Sequence, residues 1–235
     1  MTANILLTIM FCMLFGAGGA LAEMPAGSVY LDGGGSEYAL ILSHGVGQSP
    51  TALVVEPLRH AVHRTLGWHT LSLSMPREEN WSQFGRVFPQ AFERIAQAID
   101  FLKRERGVRH IYLMGHSMGS RMSSAYLADH PGAPVRGLIV AGIRHDGGVP
   151  MNGRLNLQHV ELPVLDIWGE DDGRDSMYAA ERRDLVSPLY TQVSVAGANH
   201  SFERREAEFS ARVVEWLRRM NPEQMAASPR EVVRQ

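Results

Sequence analysis

A chain of 235 residues, 45% hydrophobic and 20% charged, holds enough material for one full-sized core, which favours a single α/β domain over two. Its formal net charge of −2 leaves no basic surface for nucleic acid and no polybasic patch for an anionic membrane. The single cysteine, Cys12, lies in an apolar N-terminal segment. The body of the chain therefore offers no disulfide, thiolate metal site or cysteine nucleophile.

That N-terminal segment, residues 1–22, reads as a secretory signal. Ile5 to Phe15 is apolar apart from Thr8, and the small residues that follow end in Ala20-Leu21-Ala22, the A-x-A form of a cleavage site. The run is short for a membrane span, so a secreted or periplasmic protein cleaved near Ala22 is expected. No Lys or Arg precedes the run, and an uncleaved N-terminal anchor is the alternative. The residues before Cys12 (Ile9-Met10-Phe11) lack the small side chains of a lipoprotein acceptor. Residues 23–221 form the expected domain and 222–235 a polar tail.

Within the domain, a Gly-rich link (Asp32-Gly33-Gly34-Gly35) precedes a buried-strand candidate, Tyr38 to Ser43. The glycines lack the context of a phosphate cradle and read as linker. His44-Gly45-Val46-Gly47 follows, then a helix with Val54, Leu58, Ala61, Val62 and Thr65 on one face, closed by Gly67. Trp68 to Ser74 is the next strand, stopped by Pro76. The stretch from Arg77 to about Phe88 reads as an irregular polar loop whose Trp81 and Phe84 serve either an acyl pocket or packing. Phe88, Phe92, Ile95, Ile99 and Leu102 step by four, three, four and three along an amphipathic helix, ended by Gly107.

Val108 to Met114 is a strand that runs into Gly115-His116-Ser117-Met118-Gly119 and then a helix-compatible stretch. Val135 to Ala141 is a strand, 142–162 reads as loop, and Pro163 to Trp168 is a strand ending in Gly169-Glu170-Asp171-Asp172-Gly173. A helix from Ser176 to about Leu185, a strand from Leu189 to Val195, the turn Gly197-Ala198-Asn199-His200 and a closing helix with Phe202, Phe209, Val213, Trp216 and Leu217 complete the domain.

Almost wholly apolar strands alternating with helices predict a mostly parallel sheet covered on both faces, a three-layer α/β sandwich. Right-handed crossovers put the C-terminal ends of its strands on one edge, where ligand chemistry gathers. His44, Ser117, Asp172 and His200 each lie just after a strand and so converge on that rim. The G-x-S-x-G turn has the layout of a nucleophile elbow: tight enough to exclude bulky neighbours, with the serine strained and a helix N-terminus aimed at any oxyanion formed there. A serine hydroxyl needs a base to take its proton, and a histidine oriented by a carboxylate supplies one. Ser117, Asp172 and His200 occur in the order serine, acid, histidine, as nucleophile, orienting acid and general base. The oxyanion donors would be the N–H groups of Met118 and Val46.

The chain resembles the α/β-hydrolase superfamily, serine-hydrolase branch, from about residue 36 to 220. The resemblance rests on Ser43-His44-Gly45-Val46-Gly47, the elbow with its supporting Gly115, His116 and Gly119, Pro163-Val164-Leu165 with Gly169-Glu170-Asp171-Asp172, and Gly197-Ala198-Asn199-His200. The family spacing favours Asp172 as the acid, with Asp171, Asp175 and Asp146 as rivals. The short 142–162 stretch implies that a full cap subdomain is absent and the site open to a bulky or polymeric acyl substrate. Hydrolysis of a carboxylic ester or thioester through an acyl-enzyme is expected, with no metal or organic cofactor. No nucleic acid or stable membrane partner is expected, and the oligomeric state stays open. The alternatives are an amidase, peptidase or acyltransferase using the same residues, and a non-catalytic binding protein on a hydrolase fold. His44 is expected to brace the oxyanion loop and His116 to pack beside the serine. His60 and His63 are three apart on a helix without a carboxylate partner, which reads as a solvated face rather than a metal site.

Overall fold

The computed structural model describes residues 21–223. The expected signal segment (1–22) and polar tail (222–235) lie outside them but for two residues each.

Seven strands form one sheet: β1 (Val29–Leu31), β2 (Tyr38–Ser43), β3 (His69–Leu73), β4 (His110–His116), β5 (Gly137–Ala141), β6 (Val164–Gly169) and β7 (Tyr190–Val195). Their order is β1-β3-β2-β4-β5-β6-β7, with β1 antiparallel to β3 and every other pair parallel. The helices are α1 (Val55–Leu66), α2 (Phe88–Arg106), α3 (Met118–Asp129), α4 (Gly153–Leu157), α5 (Gly173–Glu181) and α6 (Glu206–Met220).

Strand alternation sorts the side chains between two cores. Ala39, Ile41, Ile111, Leu113, Leu138 and Val140 face α2 and α3, meeting Phe88, Ile95, Leu102 and Met122. Leu40, Leu42, Tyr112, Met114, Ile139 and Ile167 face α1 and α6, meeting Leu58, Val62, Phe209, Trp216 and Leu217. Both faces are buried, which is why the strands read as continuous apolar runs. Phe92, expected on the core face of α2, is only partly buried and packs edge-on against Tyr126 and His130.

Several elements differ from the sequence expectation, among them the unexpected strand β1 and α6, which starts at Glu206 and leaves Phe202 in the turn before it with φ 52. The 81–87 stretch is a turn of 3-10 helix, started by Asn80, whose side chain accepts the Ser82 N–H at 3.0 Å; its Phe84 is buried in the core while Trp81 is half exposed. The 142–163 segment contains α4, which rests on α3. Helix α5 begins at Gly173, because the Asp172 side chain caps it by accepting the Asp175 N–H at 2.8 Å.

The register brings the strand ends level. Ser43 pairs with Gly115, His116 with Ala141, Ala141 with Ile167 and Gly169 with Val195. A fully buried ion pair ties the far side of this rim to the sheet. Asp166 of β6 receives Nε and Nη2 of Arg182 at 3.0 and 2.9 Å, the Tyr190 hydroxyl at 2.9 Å and the Gln192 amide at 3.0 Å. Arg182 also donates to the Ile143 carbonyl at 3.0 Å. The end of α5 and the loop after β5 are thus fixed to one carboxylate.

Among the described glycines the closest backbone approach lies at Gly119 of α3, where an added Cβ would stand 2.1 Å from the Ser43 carbonyl oxygen and 2.6 Å from its carbon. Both neighbours are backbone atoms of a central strand and cannot turn aside. Gly119→Ala is therefore expected to lose about 3 kcal/mol or more in chemical denaturation; a variant within about 0.5 kcal/mol of the parent would contradict this packing.

Candidate active site

Strand β4 delivers Ser117 to the rim and α3 leaves from it. Ser117 has φ 54 and ψ −113, a conformation that side-chain-bearing residues rarely adopt. The turn is held by its surroundings: the Ser117 N–H donates to the Ala141 carbonyl at 2.8 Å. The Ser120 hydroxyl donates to the Gly115 carbonyl at 2.6 Å and accepts the Ala141 N–H at 3.1 Å. Sequence reasoning missed Ser120, since a serine one turn into a helix carries no signal for this role. At Gly115 an added Cβ would lie 2.3 Å from the Ser120 nitrogen, so the small residues of the motif are required by contact.

His200, in the turn after β7, brings Nε2 to 3.0 Å from Ser117 Oγ and Nδ1 to 2.6 Å from Asp175 Oδ2. That pattern has the Ser117 hydroxyl donating to Nε2 and Nδ1–H donating to the carboxylate. Asp175 is 1% exposed. Burial on its own would raise this carboxyl; the His200 hydrogen bond and charge, with those of Arg144, override burial and hold it below the usual carboxylate range.

The residue opposite His200 is therefore Asp175, not Asp172. Asp172 uses its Oδ1 to cap α5, and its carboxylate faces Arg144 at 3.3 Å. The two aspartates are one helical turn apart, so both reach the same region from one face of α5, and a spacing rule cannot separate them. Of the other rivals, Asp146 is paired with Arg121 at 2.6 Å and Asp171 is exposed.

Arg144, absent from the sequence reading, joins this cluster from the loop after β5. Its Nε donates to Asp175 Oδ1 at 2.8 Å. Gly142 makes room for the pair: an added Cβ there would come within 3.0 Å of both Asp175 Oδ2 and His200 Nδ1, at a φ of 57. Asp172, Asp175 and His200 hold donor atoms within 4.8 Å of one another, the one such group among the described residues. The Arg144 guanidinium contacts all three, so positive charge is already supplied where a cation would sit.

On the other side of Ser117 lies the 44–47 loop. An added Cβ on Gly45 would stand 3.2 Å from Ser117 Cβ, which sets the Val46 segment beside the serine. His44 braces the loop: its Nδ1–H donates to the Gly45 carbonyl at 2.8 Å and its Nε2 accepts the Met75 N–H at 3.0 Å. Gln48 fastens it further by accepting the Gly45 N–H at 3.0 Å, with the same oxygen 3.3 Å from His116 Nδ1. His116, 1% exposed, donates Nε2–H to the His200 carbonyl at 2.9 Å, and the two rings lie 5.1 Å apart. Met118 opens α3, where helix geometry leaves its N–H without an intrahelical partner. Trp81 lies over the Arg121 guanidinium at 5.4 Å.

His60 does meet a carboxylate, Glu56, at 3.1 Å, contrary to the sequence reading, while His63 turns Nδ1 to the Trp68 carbonyl at 3.1 Å. The two rings thus take separate partners. Among the described residues no helix is long and apolar enough to cross a membrane.

A family described as "Protein of unknown function (DUF3530)" matches residues 86–219, more than half of the chain, and the chain belongs to it. No curated protein matches. Among solved structures, a dienelactone hydrolase from Anabaena variabilis is similar with a TM-score of 0.65 at 19% identity, covering 82% of this chain and 90% of that one. Est1E from Butyrivibrio proteoclasticus, in its structure with ferulic acid, matches with a TM-score of 0.67 at 16% identity over 85% and 95%. An alpha-beta serine hydrolase homologue from Coxiella burnetii matches with a TM-score of 0.65 at 19% identity over 81% and 90%. The fold is that of the α/β-hydrolase superfamily.

Burial, and next the charge of His200, lower His116 from 6.5 to about 4. On acidification the unfolded chain takes up this proton near pH 6.5 while the folded chain refuses it until about pH 4. The stability contribution is complete above pH 6.5 and is lost as the pH falls toward 4, by on the order of 2–3 kcal/mol for this group. Burial lowers His44 and His69 in the same direction. Denaturation midpoints should fall across that window, less steeply in His116→Gln; an equal slope in both proteins would contradict the assignment.

Proposed function

We propose that this family member is a serine hydrolase that cleaves a carboxylic ester or thioester through an acyl-enzyme on Ser117. The observation that carries the reading is the continuous chain from Ser117 Oγ to His200 at 3.0 Å and from His200 to buried Asp175 at 2.6 Å, starting at a serine held in strained backbone. The likeness in fold to proteins named as a dienelactone hydrolase and a serine hydrolase homologue supports it.

In this mechanism Ser117 Oγ attacks the substrate carbonyl carbon as its proton passes to His200 Nε2. Asp175 keeps Nδ1 protonated and stabilises the imidazolium. The N–H groups of Met118 and Val46 receive the developing oxyanion, reinforced by the N-terminus of α3. His200 returns the proton to the departing alcohol or thiol, the ester to Ser117 is left, and His200 then activates water to release the acid. The short 142–163 segment, with α4 alone inside it, suits an open site and a bulky or polymeric acyl group. The same reading has the first 22 residues direct the enzyme to a secreted or periplasmic location.

Labelling with a fluorophosphonate probe tests the reading without a guessed substrate. The parent protein should label and Ser117→Ala and His200→Ala should not. Asp175→Asn should label more slowly by about 10³-fold or more, because the amide favours the wrong histidine tautomer. Asp172→Asn should lose less than about tenfold, since asparagine caps α5 as well as aspartate does. Labelling of Ser117→Ala, or an Asp172→Asn loss as large as that of Asp175→Asn, would overturn the assignment.

A further inference from the structure

Arg144 occupies an unusual position for a residue that no step of the mechanism uses. Its side chain is 20% exposed, and it is held from three sides. Nε donates to Asp175 Oδ1 at 2.8 Å, while one terminal nitrogen lies 3.4 and 3.3 Å from the two Asp172 oxygens and 3.3 Å from His200 Nδ1. The His200 nitrogen spends its proton on Asp175. The approach of Arg144 to it therefore brings two N–H groups together, an electrostatic opposition and not a hydrogen bond.

The charges facing His200 explain why such an opposition is useful. Asp175 and Asp172 come from α5, Arg144 from the loop after β5, and His116 from β4, kept neutral by burial; Ser117 is uncharged. Neighbouring carboxylates favour the charged form of an imidazole, and an imidazolium cannot take a proton from a serine. One guanidinium set against two carboxylates leaves a single negative charge, enough to stabilise the imidazolium once it forms. The Nε bond also fixes Asp175 by Oδ1, leaving Oδ2 for His200.

We propose that Arg144 is a positioning residue of the active site: it clamps the Asp175 carboxylate onto Nδ1 of His200 and offsets the charge of Asp172 beside the base. This rests on the Ser117–His200–Asp175 reading. Asp172 is then the origin of the requirement, since the carboxylate that caps α5 also adds the second negative charge.

The test is the pH dependence of fluorophosphonate labelling in the full protein and in Arg144→Met, Arg144→Lys, Asp172→Asn and the Arg144→Met/Asp172→Asn double variant, each checked for folding by thermal melting. In Arg144→Met the acid-side midpoint should move up by about one to two pH units, with the alkaline plateau within about tenfold of the parent. Arg144→Lys should keep the parent midpoint, and the double variant should return toward it. Asp172→Asn alone should move it down, which keeps the proposal open to refutation if Arg144→Met fails to fold. A direct readout is the NMR titration midpoint of the His200 ring in the Ser117→Ala background, with and without Arg144→Met; it should move up in the same way. Unmoved midpoints, or a loss of rate equal at every pH, would overturn the proposal. Absence of labelling in the parent protein would instead overturn the hydrolase reading beneath it.

Discussion

Two backbones meet at the centre of this molecule with no room for a side chain between them. The Gly119 position presses against the Ser43 carbonyl, and the Gly115 position against the start of α3. At the turn between them, from β4 into α3, Ser117 takes a positive φ. Such a conformation costs about 1–3 kcal/mol in a residue with a side chain. The Ser117 N–H bond to Ala141 and the Ser120 hydroxyl bridge between β4 and β5 help to offset it. The outcome is a hydroxyl raised above the sheet edge with a helix N-terminus behind it. Everything else at the rim is arranged around that point.

The surrounding groups are fixed by different means on the two sides. On one, His44 and Gln48 hold the 44–47 loop by hydrogen bonds to its backbone. On the other, the buried Asp166–Arg182 pair binds the end of α5 and the loop after β5 to the middle of β6. That loop carries Arg144, and α5 carries Asp175 with Asp172 at its N-cap. Replacing one member of such a buried pair leaves the other charge uncompensated, typically at about 3–5 kcal/mol. The histidine side of the site thus depends on an ion pair that takes no part in it. Asp175 sits on a helix, where positions are better defined than on free loops.

Much of this was legible in the sequence. The apolar strands, most of the amphipathic spacing of α1, α2 and α6, and the glycines that end α1 and α2 reflect local rules that the structure follows, although Thr65 of α1 is exposed, Phe92 of α2 only partly buried, and Phe202 lies before α6. The convergence of Ser117 and His200 follows from topology alone, since both come just after parallel strands. The choice between Asp172 and Asp175 was not legible in the same way. It depends on where α5 begins, and that depends on which carboxylate caps it. Asp172 takes the cap, and the residue one turn later falls opposite His200. Arg144 and Ser120 escaped for a related reason: each acts through contacts between segments distant in sequence, and neither belongs to a motif with a fixed spacing. Strand β1 has only three residues and pairs antiparallel at the sheet edge, too short to show a period.

The central claim is that Ser117, His200 and Asp175 form one catalytic unit at the elbow. A crystal structure of the protein after reaction with a fluorophosphonate tests it most directly. The account predicts phosphorus bonded to Ser117 Oγ, a phosphonyl oxygen within hydrogen-bond distance of the Met118 and Val46 N–H groups, and His200 Nδ1 still on Asp175. An adduct on another residue, or a His200 ring turned to Asp172, would contradict it.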